Sequence, residues 1–438
     1  MAKFKKNRID VITMGCSKNL VDSEQLMKRL ESLGYEAHHD SDNVRGEIVV
    51  VNTCGFIGDA KEESINMILQ LLEAKGEGQI GKLYVMGCLS ERYLSDLKSE
   101  LPDVDGFYGK FDWNKIVDAL EAEKQQKCSA LNWERKLTTP PYSAYIKISE
   151  GCNRFCAYCA IPLITGRHKS RPIDEIESEV KALVAEGVKE FNIIAQDLSA
   201  YGSDLYGKLM LPELIEKIAQ IEGVEWVRLH YAYPVDFPWE VLEVMKRYDN
   251  VCNYLDIALQ HIADPVLTNM RRHITKEETL KVIEKIRNIV PDIKLRTTLM
   301  VGFPGETEEA FKELVDFVRE VKFDRMGAFT YSEEDDTWAQ RHLSDDIPQE
   351  VKQDRLDILM AAQEDVALSL NEQMIGQCVK VIVDRIEGDR YVGRTQWDSP
   401  EVDPEVYFPI NDTDYDEGDF VMVRLTQAYP YELEGELV

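Results

Sequence analysis

The stretch AYIKISEGCNRFCAYC, residues 144–159, joins a short β-rich run directly to three closely spaced cysteines. Cys152, Cys156 and Cys159 have the spacing C-x3-C-x2-C, and Gly151 before them permits a sharp turn. Three thiolates on one tight loop can hold three irons of a four-iron cluster and leave the fourth iron open to a substrate or cofactor. A structural zinc site or chance clustering is the alternative, but no second paired-cysteine motif lies at a zinc-ribbon spacing. The stretch therefore predicts a strand followed by an iron–sulfur loop.

Strand and helix patterns alternate around this loop, from about residue 142 to 370. Six apolar runs predict strands: AYIKIS (144–149), EFNIIAQ (190–196), WVRLHYA (226–232), YLDIALQ (254–260), KLRTTLMVG (294–302) and RMGAFTYS (325–332). Residues 348–376 predict a long closing helix that ends at Gly376. Repeated βα units predict a barrel or partial barrel, with its chemistry at the C-terminal ends of the strands.

A second region of strand and helix patterns precedes the first, from about residue 8 to 125. Its apolar runs are IDVITMG (9–15), EIVVVNT (47–53) and KLYVMG (82–87). Short apolar strands interleaved with helices predict a parallel sheet covered on both faces. The polar tract 121–141, which ends in two prolines, predicts a linker between the two regions.

A second cysteine trio, Cys16, Cys54 and Cys88, follows these three predicted strands. Because the ends of parallel strands lie along one edge of a sheet, we expect the three thiols to converge. A glycine beside each cysteine, at positions 15, 55 and 87, would let the backbone approach a cofactor closely. The alternative is three buried cysteines that pack as small hydrophobic residues. The shared strand-end context favours a second three-cysteine cluster site.

The remaining cysteines share no sequence context and are predicted to be free or packed thiols: Cys128, Cys252 and Cys378. Nine cysteines is an odd number, and no signal-peptide core follows the N-terminus, so a disulfide framework is not expected. No stretch is apolar for long enough to span a membrane. We therefore expect a cytoplasmic protein with no membrane partner.

Charge distinguishes two classes of partner. The formal net charge of −29 repels phosphate backbones and attracts basic proteins. Short alternating strands in residues 377–438 predict a small antiparallel barrel, and residues 370–438 hold 16 acidic against 5 basic side chains. Within them, residues 398–419 contain nine acidic residues and neither Lys nor Arg. That segment is either a solvated loop or a docking face for a basic partner.

The first cysteine loop, with Tyr158 before its last cysteine, resembles the radical S-adenosylmethionine superfamily. The resemblance implies that the open iron chelates the amino and carboxylate groups of S-adenosylmethionine, which a reduced cluster cleaves to a 5′-deoxyadenosyl radical. The two trios, with GCSKNLVDSE, VVNTCGFI, MGCLSERY, QHIADPVLTNMRR and VGFPGETEE, resemble the methylthiotransferase family. KNLVDSE, AQDLSAYGSDLYG and RLHYAYP are closest to its branch that modifies a ribosomal protein, whereas the sister branch modifies adenosine in transfer RNA.

Membership would imply a multidomain α/β protein with an N-terminal parallel α/β domain at 1–127, a radical SAM partial (βα) barrel at 138–370 and a TRAM-like β-barrel at 374–438. It would also imply two [4Fe-4S] clusters, one on each cysteine trio, with the strand-end trio delivering sulfur. One S-adenosylmethionine would supply the radical and another the methyl group. The reaction would then be methylthiolation of the β-carbon of an aspartate in small-subunit ribosomal protein S-twelve, with a transfer-RNA adenosine as the alternative substrate. The implied partners include a low-potential electron donor such as ferredoxin or flavodoxin, and a sulfur donor.

Four further residues are candidate contacts to S-adenosylmethionine. Gln196 and Asp197 end a predicted strand, and Gly302 and Gly305 lie in a strand-to-helix loop where backbone amides are accessible. Ordinary loop geometry explains both pairs equally well. No side chain is assigned a catalytic role, because the cofactors carry the difficult chemistry.

Two positions depart from the family pattern. Thr165 stands where the family often has an arginine, and Ala258 where a proline is common. Both substitutions could alter the cofactor pocket, but neither removes a predicted cluster ligand.

Overall fold

The computed structural model describes residues 4–410 and 414–438. The N-terminal region contains a five-stranded, all-parallel sheet of order β2-β1-β3-β4-β5. Its strands are β1 (Lys5–Thr13), β2 (Glu36–His39), β3 (Gly46–Thr53), β4 (Lys82–Gly87) and β5 (Gly106–Phe107). Its helices are α1 (Ser17–Ser32), α2 (Gly58–Gly76), α3 (Cys88–Arg92), α4 (Leu94–Glu100) and α5 (Asn114–Lys124).

Both faces of this sheet are covered, which confirms the prediction from its apolar strands. Alternate side chains of β1 and β3 pack on α1 and α5 on one face, and their neighbours pack on α2 on the other. The three predicted strands are present, but β2 and β5 were not predicted. β2 is short and contains two histidines, and β5 has only two residues, so neither forms an apolar run.

The central region contains six parallel strands in the order β13-β12-β11-β10-β9-β6, an open partial barrel. Its strands are β6 (Ser143–Lys147), β7 (Ser149–Glu150), β8 (Lys169–Ser170), β9 (Glu190–Ile194), β10 (Trp226–Ala232), β11 (Val251–Ile257), β12 (Lys294–Val301) and β13 (Arg325–Thr330), with β7 and β8 forming a separate pair. Its helices are α6 (Ile161–Ile164), α7 (Ile173–Ala185), α8 (Leu211–Ala219), α9 (Glu240–Arg247), α10 (Asp264–Asn269), α11 (Lys276–Ile289), α12 (Glu308–Val321), α13 (Trp338–His342) and α14 (Gln349–Glu372), with a 3-10 turn at Leu198–Ala200. All six predicted strands are confirmed, and so is the long closing helix, although it ends at Glu372 rather than at Gly376.

The predicted linker is partly helical and partly packed. Its first residues belong to α5, and the chain from 125 to 142 forms neither helix nor strand. Arg135 within it is buried and pairs with Glu24 of the first region and Glu179 of the second, at 3.1 Å each. The segment is therefore a fixed bridge rather than a flexible linker, because its charge is neutralised from both sides.

The C-terminal region is a closed barrel of order β14-β15-β16-β18-β17. Its strands are β14 (Cys378–Glu387), β15 (Arg390–Thr395), β16 (Glu405–Pro409), β17 (Phe420–Ala428) and β18 (Glu432–Leu437). The predicted small barrel is confirmed, with the difference that β16 pairs parallel to β18. Within the described residues, no helix is both long and apolar enough to cross a bilayer.

The acidic segment 398–419 is not one solvated loop. It contains the unpredicted strand β16, and two of its carboxylates face the central region rather than solvent. Asp398 is fully buried and accepts hydrogen bonds from Arg325, while Asp403 pairs with Arg296. Asp412 lies outside the described residues. The exposed acidic side chains that could face a partner are therefore fewer than the sequence suggests: Glu401, Asp414, Asp416 and Glu417.

Buried ion pairs join the barrel to the central sheet. Glu190, the first residue of β9, has no exposed surface and accepts hydrogen bonds at 2.9 Å from both terminal nitrogens of Arg394 on β15. Arg228 on β10 pairs with the same carboxylate. Burial opposes ionisation of Glu190, but the two guanidinium groups outweigh it and hold its pKa well below the usual range. The barrel is thus attached at the amino ends of the central strands.

Replacing Arg394 with methionine is expected to destabilise the protein by about 3–5 kcal/mol, because it leaves the buried carboxylate of Glu190 and the partly buried carboxylate of Asp384 with fewer partners. Arg390→Met on the same strand is the matched control, since Arg390 forms a half-exposed pair with Glu434 and its loss should cost below about 1 kcal/mol. Urea unfolding monitored by circular dichroism compares the two. Equal shifts of the unfolding midpoint would show that the buried network is not a stabilising attachment.

Candidate active site

A single cavity of about 340 Å³ contains both cysteine trios. Cys16, Cys54 and Cys88 enter it from the carboxyl ends of the adjacent strands β1, β3 and β4. The loop after β7 contributes the other trio, from the carboxyl-end side of the partial barrel: Cys152, Cys156 and Cys159. The trios, which lie far apart in sequence, therefore line one cavity between the first two regions.

The strand-end trio converges because glycines allow its loops to touch. Gly15 has φ +92°, and a Cβ there would lie 2.8 Å from the Cβ of Cys54. A Cβ at Gly55 would lie 2.8 Å from the carbonyl carbon of Cys88. The glycines were predicted to admit a cofactor. The structure shows a more direct reason for them, which is that any side chain would push the cysteine loops apart.

Asn19 ties the three cysteine loops of this trio together. Its amide nitrogen donates to the carbonyl oxygens of Met14, at 3.0 Å, and Thr53, at 3.1 Å. Its side-chain oxygen accepts from the Cys88 thiol at 3.6 Å. The first turn of α1 is consequently fixed relative to the ends of β1 and β3.

The thiols of the strand-end trio differ in their tendency to ionise. Burial opposes ionisation of Cys16, but the charges of Lys18 and Lys110 and the backbone amides at the start of α1 outweigh it, so its pKa is lowered. Burial raises the pKa of Cys54 and raises that of Cys88 to about 12. Cys16 is therefore the thiol of this trio that most readily becomes an anionic ligand.

The loop of the second trio is tightly wound. The Cys159 amide donates to the Cys156 carbonyl at 3.0 Å, and the Cys152 amide donates to Gly166 at 3.2 Å. Burial raises the pKa of Cys152 to about 11 and also raises that of Cys159. Arg272 donates to the Cys156 sulfur at 3.3 Å. This buried guanidinium offsets the negative charge that develops when the loop thiols ionise.

Four cations line the cavity, and no Asp or Glu of the described residues does so. They are Lys18, Lys110, Arg154 and Arg272. In a chain with a net charge of −29, such a cavity is suited to anionic thiolates and to anionic ligands. Sequence reasoning missed all four. Arg154 lies within the cysteine loop and Lys18 two residues after Cys16, so proximity in sequence could have indicated those two.

Unpaired polar atoms in the cavity indicate that it is built to hold a ligand. The side-chain oxygens of Gln196 and Gln260 and the Nε of Arg272 are buried and have no hydrogen-bond partner in the described part of the chain. The described residues place no three His, Cys, Asp or Glu side chains around a single metal ion.

The predicted contacts to S-adenosylmethionine lie at different distances from the cavity. Gln196 lines it. Asp197 lies behind it and accepts from the Arg154 Nε at 2.7 Å. Gly302 and Gly305 do not line it; their α-carbons face Lys352 and Asn269 instead. A direct contact from these three residues stays a prediction.

The two positions that depart from the family pattern both lie at the cavity. Thr165 and Ala258 line it, and the Ala258 carbonyl accepts a hydrogen bond from Arg272. Both positions therefore lie where a bound cofactor could meet them, and an effect of these departures on cofactor binding stays a prediction.

Comparison with known families agrees with this geometry. The profile of the radical SAM superfamily matches residues 146–318, that of the TRAM domain matches residues 375–438, and that described as "Uncharacterized protein family UPF0004" matches residues 8–109. The fold and the cysteine loop thus define a radical S-adenosylmethionine enzyme, a class that implies S-adenosylmethionine and one [4Fe-4S] cluster.

Curated relatives identify the family to which this radical S-adenosylmethionine enzyme belongs. Proteins named ribosomal protein uS12 methylthiotransferase RimO are 60% identical in Phocaeicola vulgatus and 58% identical in Parabacteroides distasonis, each over 99% of this chain and 100% of the relative. A protein of the same name from Christiangramia forsetii is 50% identical over 99% of this chain and 95% of its own. The chain belongs to the RimO family of methylthiotransferases.

Solved structures show the same fold at much lower identity. The methyltransferase TsrM from Kitasatospora setae, with cobalamin and a [4Fe-4S] cluster bound, has a TM-score of 0.56 and 13% identity, covering 74% of this chain and 72% of its own. The cobalamin-dependent enzyme OxsB has a TM-score of 0.52 and 10% identity, covering 81% and 56%. At these identities the likeness concerns the fold alone.

Proposed function

We propose that this chain methylthiolates the β-carbon of an aspartate in ribosomal protein uS12. The observation that carries the proposal is the opening of both cysteine trios into one cavity. Sulfur insertion at an unactivated carbon requires hydrogen removal and sulfur delivery at the same atom, and a shared cavity allows both. The relatives that match over nearly the whole chain are named for this activity on a ribosomal protein rather than on transfer RNA.

Each trio holds one [4Fe-4S] cluster in this proposal. When bound, the cluster on the 152–159 loop with S-adenosylmethionine supplies the radical that removes hydrogen, and the cluster on the strand-end trio supplies sulfur. The proposed ligands are Cys152, Cys156 and Cys159 for the first, and Cys16, Cys54 and Cys88 for the second.

The side chains around the cofactor hold it in place. Gln196 and Gln260 present unpaired oxygens that can accept from an amino group, and Arg272 fixes the Cys156 thiol. Arg154 is held by Asp197 and lies 4.3 Å from the centre of the Tyr233 ring, so Asp197 acts on the pocket through Arg154. Gly302 and Gly305 support the neighbouring loop and are proposed to approach the adenosine when it is bound.

Charge supports a protein substrate. The terminal barrel region carries 16 acidic against 5 basic residues, which disfavours a phosphate backbone and favours a basic protein.

A low-potential donor such as ferredoxin or flavodoxin would supply electrons, and a separate donor would renew the sulfur. We also propose a cytoplasmic location and three domains, at 1–127, 138–370 and 374–438.

Mass spectrometry tests the proposal directly. The anaerobically reconstituted chain is incubated with S-adenosylmethionine, a reductant, sulfide and either uS12 or total transfer RNA. We expect one methylthio group on one aspartate of uS12 and none on transfer RNA. Modification of an adenosine in transfer RNA with unmodified uS12 would contradict the proposal.

A further inference from the structure

Lys18 is a buried cation that forms no ion pair within the described residues. Its exposed fraction is 9%, it lines the cavity, and its ammonium group has no hydrogen-bond or ion-pair partner there. Its charge acts on the buried carboxyl of Asp256 and on the Cys16 thiol, but neither of them contacts the ammonium group. The ring of Tyr231 packs against it, with the ring centre 3.6 Å from the Lys18 Nζ. A buried ammonium group without an anionic partner is costly, which indicates that a ligand supplies the anion.

The other three cavity cations already have partners. Arg154 pairs with Asp197 at 2.7 Å. Lys110 pairs with Asp22 at 3.1 Å. Arg272 donates to the Cys156 sulfur and to the Tyr158 hydroxyl, at 3.3 and 3.2 Å. Among these four cations, Lys18 is therefore the one whose charged group has no hydrogen-bond or ion-pair partner in the described residues, although the Nε of Arg272 is also free.

The Tyr231 ring is held against Lys18 at the expense of backbone strain. Tyr231 has φ +64°, a conformation that bulky side chains rarely adopt. Residues in such conformations persist where the surrounding structure maintains them, and they concentrate at functional sites. A ring face beside an ammonium group keeps the group in a defined place without neutralising it, because the ring carries no net charge.

The position of Lys18 indicates which anion it meets. It lies two residues after Cys16, on the side of the cavity formed by the strand-end trio, and its charge acts on Cys16 and on His230 in the barrel. We propose that Lys18 binds the side-chain carboxylate of the substrate aspartate, an inference that rests on the proposed function. That carboxylate is bonded to the carbon that receives sulfur, so anchoring it next to the sulfur-delivering trio positions the reacting carbon.

A substrate in which the target aspartate is asparagine tests the inference, because asparagine has the same shape without the charge. Dissociation constants are measured for both uS12 forms with wild type, Lys18→Met, Lys18→Arg and Lys6→Met. Methionine matches the length of lysine without its charge, and the exposed Lys6 is the control for losing one charge in the same region. We expect wild type and Lys6→Met to prefer the aspartate form by about tenfold to hundredfold.

Lys18→Met should bind both forms within about twofold of each other, and Lys18→Arg should restore part of the preference. A ratio of two substrates is insensitive to a misfolded fraction, which lowers both affinities equally. An unchanged preference in Lys18→Met would overturn the inference. So would a loss confined to S-adenosylmethionine binding, which would assign Lys18 to the cofactor carboxylate. If wild type leaves uS12 unmodified, the proposed function itself fails instead.

Discussion

Replacing Cys156 with alanine is expected to abolish formation of 5′-deoxyadenosine from S-adenosylmethionine. Two thiolates on the 152–159 loop cannot retain a cluster that needs three cysteine ligands, so the iron content of the proposed two-cluster enzyme should fall from about eight to about four per chain. The Arg272 guanidinium, which donates to the Cys156 sulfur, would also lose one of its hydrogen-bond partners. Chromatographic assay of 5′-deoxyadenosine, with iron and sulfide analysis, measures both effects.

Cys378→Ala is the control for this variant. Cys378 is exposed at the start of β14 in the terminal barrel and lies outside both trios. The Cys378→Ala protein should retain about eight irons per chain and cleave S-adenosylmethionine at the wild-type rate. Cleavage by Cys156→Ala within about tenfold of wild type would show that the loop does not hold the radical-generating cluster.

Replacing Cys54 with alanine should impair sulfur insertion and largely spare cleavage of S-adenosylmethionine. We expect sulfur insertion into uS12 to stop, while cleavage of S-adenosylmethionine falls by less than about tenfold, because the loop that holds the other cluster is intact. The iron content should again fall to about four per chain. Mass spectrometry of uS12 and the 5′-deoxyadenosine assay on the same sample separate the two activities.

Cys128→Ala is the matched control for Cys54→Ala, because Cys128 packs half-buried against the same N-terminal region but outside the cavity. It should retain both clusters and both activities. A Cys54→Ala protein that holds about eight irons and still inserts sulfur would refute the assignment of the second cluster.

Much of the fold could be predicted because its strands are continuous apolar runs. All nine runs predicted in the first two regions became strands, since a strand buried on both faces is mostly apolar. The missed strands are β2, β5, β16 and the two-residue pair β7 and β8, which are short or acidic. Neighbouring strands hold them in place by pairing, and that contribution is invisible in the local sequence.

The acidic segment shows the limit of composition as evidence. Nine acidic residues without a basic neighbour suggested a loop or a docking face. In the structure, Asp398 and Asp403 instead pair with Arg325 and Arg296, which precede them by 73 and 107 residues. The sequence of an acidic segment does not show which arginines of another region will pack against it. The burial of these two carboxylates therefore could not be predicted.

The sequence by itself determined the two cysteine trios and the position of each at the end of a strand. Loop spacing and strand-end placement are local or follow directly from parallel topology, so no tertiary contact is needed to infer them. Only the tertiary structure decided that the trios open into one cavity, that Arg272 and Lys110 line it, and that among its four cations Lys18 has no ion pair or hydrogen bond to its charged group. These depend on how two separately folded sheets pack, which is set by many side chains remote from the cysteines.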